Sequence, residues 1–399
     1  MRVLVLTDRL PFPLSNGQNL RIYHFVKGLS DRHEFHLLTY GVEPHPHEIQ
    51  SIFREIRAIG PRLGAPAPVP FMQRVRRAFA PDALVHFDPD ARAALEGMLG
   101  QARFDLLWIS GWEMLVYLPY VAPMPVLADI VDEGLLEYLH ALRHPKDLPS
   151  TLVTIKRLIQ TVRFERRYFA AADLCNVVAD RDARWGRIAV PRARFAVVNN
   201  GVDTNYFAPG SYGAEPLSLV FEGNMGFRPN VDAAVHFITQ IFPRIRQAVP
   251  GVRFYAVGSE PAPELLRLQA ADVIVTGFVD DVRPYLGRSA VFVCPMRLGA
   301  GIKNKILQAW AMARAVVATP VACGGLRAVD GENLLVAASD EQFAASVVQL
   351  LNDPAKRESL GSKGRDTVLG YYTWERQSDE FDRVFHRTAE EFQKRGRRG

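Results

Sequence analysis

Residues 291–319, VFVCPMRLGAGIKNKILQAWAMARAVVAT, constrain the fold more than any other stretch. A β-branched run ends in a Gly-Ala-Gly turn, a helical period follows, and a second β-branched run closes the unit. Short apolar strands that alternate with helices imply a parallel sheet covered on both faces.

The rest of the chain repeats this grammar. Its first half carries the strand candidates VLVLT, EFHLLTY, DLLWIS, PVLADIV, LCNVV and RFAVVNN. A helix with Ile22, Phe25, Val26 and Leu29 on one face follows the first of them, and residues 151–170 read as one long helix. The second half carries SLVFEGN, RFYAVG, VIVTGF, VFVCP, AVVAT and NLLVA. Two such halves predict two doubly wound α/β domains, and the segment NNGVDTNYFAPGSYGAEP, rich in Asn, Gly and Pro, marks the boundary.

Ligands of open α/β sheets bind beyond the carboxyl ends of the strands. Asn16-Gly17, Gly258, Gly277-Phe278 and Gly299-Ala300-Gly301 each follow a strand candidate. Any one of them could be a plain turn, but their recurrence favours a single site in the cleft between the domains. Lys303 and Lys305 fall where the next helix begins, a place where the helix dipole disfavours cations. Either they extend into solvent or pair with a carboxylate, or they attend a bound anion such as a phosphate or diphosphate.

At 399 residues the chain is long enough for about two domains, and 48% hydrophobic residues can fill two cores. The segment MRVLVLTDRL has too short an apolar run for a signal peptide, and no stretch reaches the ~18 apolar residues of a membrane span. Three scattered cysteines make no disulfide framework. These features lead us to expect a cytoplasmic protein. The net charge of +5 is concentrated in patches at Arg74, Arg76 and Arg77, at Lys156, Arg157, Arg163, Arg166 and Arg167, and at Lys394, Arg395, Arg397 and Arg398. Such patches are either solvated helix faces or contacts with an anionic membrane surface or lipid phosphate, which would place the protein at the inner face of the membrane. No recognition motif accompanies them, so nucleic acid is not expected.

Several segments resemble the retaining glycosyltransferases of the GT-B fold, in the large family 4. VLVLTDRLPFPLSNGQNLRIYHFVKGLS resembles the family's first strand, glycine loop and helix, and VVNNGVDTNYFAP the start of its nucleotide-binding domain. FEGNMGFRPNVDAAVHF, VTGFVDDVRPYLGRSAVFVCP, GAGIKNKILQAWAMARAVVAT and YYTWERQSDEF resemble, in order, four later family segments. The donor-helix form is similar to a bacterial subgroup associated with exopolysaccharide and lipid-linked glycan assembly. The resemblance implies two Rossmann-like domains facing a central cleft: an acceptor-side domain over 1–205, joined by a crossover helix over 375–399, and a donor-binding domain over 206–374.

It further implies transfer of a sugar from a nucleoside diphosphate sugar to a hydroxyl, with anomeric configuration kept. The acceptor would be a glycan, lipid-linked or small-molecule hydroxyl. No metal is implied, and no cofactor beyond the donor. Cations and backbone N–H groups would stabilise the departing diphosphate. The resemblance puts Lys303 and Lys305 in that role. It puts Gly17, Gly223, Asn224, Arg228, Gly258, Gly277, Phe278, Val279, Arg297, Gly299, Ala300, Gly301, Ile302 and Gln308 around the donor. Asp132 would orient the acceptor hydroxyl or the donor sugar, or else it and Asp129 are cap and turn residues. Trp112 and Glu113 follow DLLWIS and either line the same cleft or pack in the core. The chain departs from the family at three positions. Ala300 and Gln308 stand where the family has two glutamates, and Asn224 stands where it commonly has an arginine. Two alternatives stay open: a sugar-nucleotide binding protein without catalysis, and a nucleotide-sugar epimerase or hydrolase on the same fold.

Two signals carry less. Asp88-Pro89-Asp90 precedes a helical run and reads as an N-cap, not a metal site. His33, His36, His45 and His47 lack partners at ligand spacing. The glycine turns do not form the G-x-G-x-x-G fingerprint of nicotinamide and flavin enzymes.

Overall fold

The computed structural model describes the chain apart from residues 15, 43–44, 61–79, 81–83, 86, 122, 131–137, 139–141, 143–146, 211, 300 and 397–399. It divides into two compact units, Met1–Asn200 with Gln377–Gly399, and Gly201–Arg376.

In the first unit, β1 (Arg2–Thr7), β2 (Glu34–Thr39), β3 (Glu55–Ala58), β4 (Leu106–Ser110), β5 (Val126–Ile130), β6 (Leu174–Val177) and β7 (Phe195–Val197) pair in parallel, in the order β3-β2-β1-β4-β5-β6-β7. The strand order reverses between β1 and β4, so this sheet is doubly wound. Each apolar run named in the sequence forms a strand. The sheet holds one further strand, β3, whose sequence EIRA has no apolar run and was not among those named. It is an edge strand, paired to β2 alone, and its half-buried side chains need no such run.

Local chemistry sets the helix starts. The Asn16 side chain accepts from the Asn19 N–H and caps α1 (Gly17–Leu29), which buries Ile22, Phe25, Val26 and Leu29. Asp88 caps α2 (Pro89–Gln101) by accepting from the Asp90 N–H at 2.9 Å, with Pro89 in the first turn. The Asp-Pro-Asp segment is a capping device, as the sequence predicts. Asp147 caps α3 (Leu148–Tyr168) in the same way. The histidines answer to carboxylates: His33 Nε2 lies 2.7 Å from Asp382, and His36 lies between Glu34 and Glu55.

An ion pair with both side chains fully buried sits at the centre of this unit. Arg21 Nε donates to the Asp129 carboxylate at 2.8 and 3.0 Å. Its Nη1 donates to Val198 O, Asn199 O and Asn200 Oδ1. Asn176 Nδ2 donates to Asp129 Oδ1 at 2.8 Å. The guanidinium also covers the ring of Phe25, 4.6 Å from its centroid. Asp129 is therefore neither a cap nor an acceptor-side carboxylate; it is the counter-ion of Arg21. The final helix, α8 (Trp374–Gly396), stacks Phe381 on Phe25 with ring centroids 4.2 Å apart, beside the fully buried Trp108.

In the second unit, β8 (Glu215–Glu222), β9 (Arg253–Val257), β10 (Val273–Val275), β11 (Ser289–Cys294), β12 (Ala315–Ala318) and β13 (Leu335–Val336) form a second parallel sheet, ordered β10-β9-β8-β11-β12-β13. Its order reverses between β8 and β11. Helix α5 (Arg228–His236) follows β8, α6 (Asn304–Ala311) follows β11, and α7 (Pro354–Tyr371) packs on α6. In the first unit, α4 (Asp180–Ala189) follows β6. Buried Trp310 of α6 donates its indole N–H to Asn333 O at 2.8 Å. Helix α7 can come this close because two of its residues lack side chains. A Cβ on Gly364 would stand 2.4 Å from the Trp310 ring, and one on Gly361 would stand 2.1 Å from Ala313 O. No described helix is long and apolar enough to cross a membrane.

Two stability predictions follow from this packing. Asp129→Ala strands a buried guanidinium and should cost about 3–5 kcal/mol in urea unfolding of the first unit; a loss below 1 kcal/mol would contradict a central role for the pair. Gly361→Ala forces α7 off α6 and should cost roughly 1–3 kcal/mol. Gly370→Ala, in the same helix with nothing within 4 Å of a new Cβ, should instead be neutral or stabilising by up to about 1 kcal/mol.

Candidate functional site

The carboxyl edge of the second sheet, where its order reverses, holds most of the residues that the sequence singles out. Lys305 lies in the first turn of α6, and its ammonium spans the reversal. Nζ donates to Glu222 O at the end of β8 (2.6 Å) and to Asn230 Oδ1 on α5 (2.9 Å), and it stands 4.1 Å from the centroid of the Phe221 ring. An ammonium has three N–H donors, so one is left over among the described residues. Burial holds the Lys305 ammonium below its ordinary range, with Glu222 opposing the shift. Burial also raises the Glu222 carboxyl, with Lys305 opposing. Lys305 thus bonds to a carbonyl and an amide oxygen, and its charge is not cancelled by a carboxylate in contact.

The loops around it are built on glycine. Gly223 has φ +145°, and a Cβ there would stand 2.7 Å from Lys305 Nζ. Gly258 has φ +144°, and a Cβ there would stand 1.8 Å from Gly223 O. The two turns run side by side: Gly223 N donates to Val257 O and Met225 N to Ser259 O. Thr276 continues the chain of contacts, accepting from Gly258 N and donating to Gly277 O. Beyond it Phe278 is 74% exposed and Val279 is half-buried.

Asn224 is spent on its own loop. Its Oδ1 accepts from Gly226 N and Phe227 N, and its Nδ2 donates to Glu260. That geometry delivers the chain into α5, where Arg228 is the first residue and is exposed.

The loop after β11 differs from the expected helical turn. Helix α6 begins at Asn304, so Lys303 is the residue before it, not part of its first turn. Its side chain is buried and folds back, with Nζ 3.3 Å from Gly301 O and beside Gly299. Gly299 and Gly301 both have positive φ (+113° and +66°), which gives the loop this shape. Ile302 is buried and Gln308 half-buried. Arg297 points away from the other cations: it grips Asp232 of α5 through two bonds, at 2.7 and 3.1 Å. Within the second unit its internal partner is therefore a carboxylate, unlike that of Lys305. Ala300 lies outside the described residues.

In the first unit, Gly17 opens α1. The neighbouring Gln18 Nε2 donates to Thr7 Oγ1, Asp8 Oδ1 and Ser110 O at the reversal between β1 and β4. Arg9 holds the other Asp8 oxygen at 2.6 Å. Asp8, Arg9 and Gln18 were not among the expected residues. A run of polar residues directly after a buried strand was the signal for them. Trp112 starts a 3-10 turn and meets the Phe164 ring edge-on at 5.1 Å, so it packs within this unit. Asp132, Arg74, Arg76, Arg77, Arg397 and Arg398 lie outside the described residues.

Two parallel, doubly wound Rossmann-like units with a last helix that returns to the first define the GT-B class of fold. The chain is similar to sucrose-phosphate synthase from Thermosynechococcus elongatus, with a TM-score of 0.74 and 16% identity over 97% of this chain and 98% of that one. Residues 216–353, all in the second unit, match the family described as Glycosyl transferases group 1. The lipopolysaccharide core biosynthesis glycosyltransferase LpsE of Rhizobium meliloti is 32% identical over 141 residues, which make up 33% of this chain and only 41% of that protein. The GDP-mannose-dependent alpha-(1-6)-phosphatidylinositol monomannoside mannosyltransferase of Mycobacterium tuberculosis is 24% identical over 370 residues, or 72% of this chain and 93% of that one. The residues that match this family lie in the second unit and include the Lys305 cluster.

Proposed function

We propose that this protein is a retaining glycosyltransferase that uses a nucleoside diphosphate sugar and no metal ion or separate cofactor. The observation that carries this reading is Lys305, held by Glu222 O and Asn230 Oδ1 at the carboxyl edge of the second sheet with one ammonium proton left over among the described residues. The relatives support it, since one is named as GDP-mannose-dependent and another as a lipopolysaccharide core glycosyltransferase.

In this scheme the bond between the anomeric carbon and the donor diphosphate breaks. The acceptor oxygen bonds to that carbon on the same face, and a donor phosphate oxygen takes the acceptor proton. The diphosphate leaves with the electron pair of the broken bond. Lys305 and the N–H groups at the start of α6 meet the growing charge. Gly223 and Gly258 let backbone approach the diphosphate, and Gly277, Phe278 and Val279 form the turn for the nucleobase. Gln308 accepts from the ribose hydroxyls through its amide oxygen. The first unit binds the acceptor, a glycan, lipid-linked or small-molecule hydroxyl, in the cytoplasm.

The test is a panel of nucleoside diphosphate sugars, each incubated with and without acceptors and with EDTA. Acceptor-dependent diphosphate release, unchanged by EDTA and giving a product of retained anomeric configuration by NMR, is the expected result. Inversion, loss of turnover in EDTA, or conversion of the sugar without acceptor would refute the scheme. Lys305→Ala should lower kcat by roughly 10²–10³, the usual loss for one donor to a developing anion. A folded Lys305→Ala variant with the original rate would remove the lysine from the mechanism.

A further inference from the structure

The loop after β9 carries a carboxylate to which the transfer scheme gives no part. Glu260 is exposed, and its backbone stands in the left-handed region, with φ +54°. Outside glycine, asparagine and aspartate such a φ is uncommon and costs free energy. Its neighbours hold it there. Met225 N donates to Ser259 O at 2.7 Å and Ala262 N to Met225 O at 3.1 Å, so the loop after β9 is zipped to the loop after β8. Asn224 Nδ2 donates to Glu260 Oε2 at 3.1 Å. An amide positions the carboxylate and leaves its charge intact, which an arginine at 224 would not. Among the described residues Glu260 Oε1 accepts no hydrogen bond, and no cation forms an ion pair with Glu260.

We propose that Glu260 accepts hydrogen bonds from the ribose hydroxyls of the donor and so makes the protein selective for ribonucleotides. The inference rests on the sugar-transfer reading and deepens it. Strand order carries the argument. The second sheet runs β10-β9-β8-β11. In that reading the diphosphate lies at Gly223 and Lys305, which follow β8 and β11, and the nucleobase at Gly277–Val279, which follow β10. The loop after β9 stands between these places, and in a nucleoside diphosphate it is the ribose that joins base to phosphate. Chemistry selects the same group. An anionic carboxylate repels a phosphate, whereas hydroxyl groups are donors that make short, strong bonds to it. Gln308 offers the ribose a neutral acceptor; Glu260 adds a charged one.

The experiment is isothermal titration calorimetry of the full chain with UDP, GDP and their 2′,3′-dideoxy counterparts, on the parent and on Glu260→Gly and Glu260→Gln. The parent should bind at least one ribonucleotide more tightly than its dideoxy form. Glu260→Gly should weaken that ribonucleotide by roughly 10–100-fold, the worth of hydrogen bonds to a charged group, and leave the dideoxy form unchanged. Glu260→Gln keeps a neutral acceptor and should fall in between. Glycine suits φ +54°, so Glu260→Gly should melt no lower than the parent. A role confined to holding the loop predicts the reverse, a lower melting temperature and an equal loss for both forms. Ribonucleotide binding that neither variant changes, or that falls equally with its dideoxy form, would overturn the inference and leave the transfer reading standing. No binding of any of these nucleotides would overturn both.

Discussion

The Arg21–Asp129 pair is the interaction on which the first unit turns. Taking two charges out of water is costly, and hydrogen-bond partners for their lone pairs and N–H groups offset that cost. Here α1 supplies the cation, β5 the anion, β6 an amide donor, and the segment after β7 two carbonyls and an amide oxygen. The last helix adds the Phe381 ring beneath the guanidinium. Five elements distant in sequence must therefore be in place together to seat the pair, and Arg21 Nη2 is still buried with no hydrogen-bond partner among the described residues. A half-formed version would leave a bare charge in the core, so the pair favours one arrangement over its near neighbours. Its test is the loss of stability when one partner is removed.

The second unit uses a buried cation to a different end. Arg21 meets a carboxylate directly and is neutral as a pair. Lys305 is seated on a carbonyl and an amide oxygen, with the Glu222 carboxyl acting on it without a direct contact. A charge held that way is fixed in position yet still unbalanced, which is what an anion site needs. Arg297 illustrates the contrary case, because Asp232 has already answered its charge. Cations near a site count toward it only after their internal partners are subtracted.

That subtraction explains what was legible in the sequence. Strands buried on both faces read as apolar runs, and the Asp88 cap reads from its neighbouring residues, so most elements were visible. Strand β3 was not, because an edge strand can be polar. Lys305 was visible as a cation out of place, but its seat was not: Asn230 is 75 residues away and Glu222 is 83. Nothing in the local sequence singles out Arg21, and only the fold brings Asp129, 108 residues distant, against it. Local pattern reports burial and turn chemistry; long-range charge pairing is decided by topology.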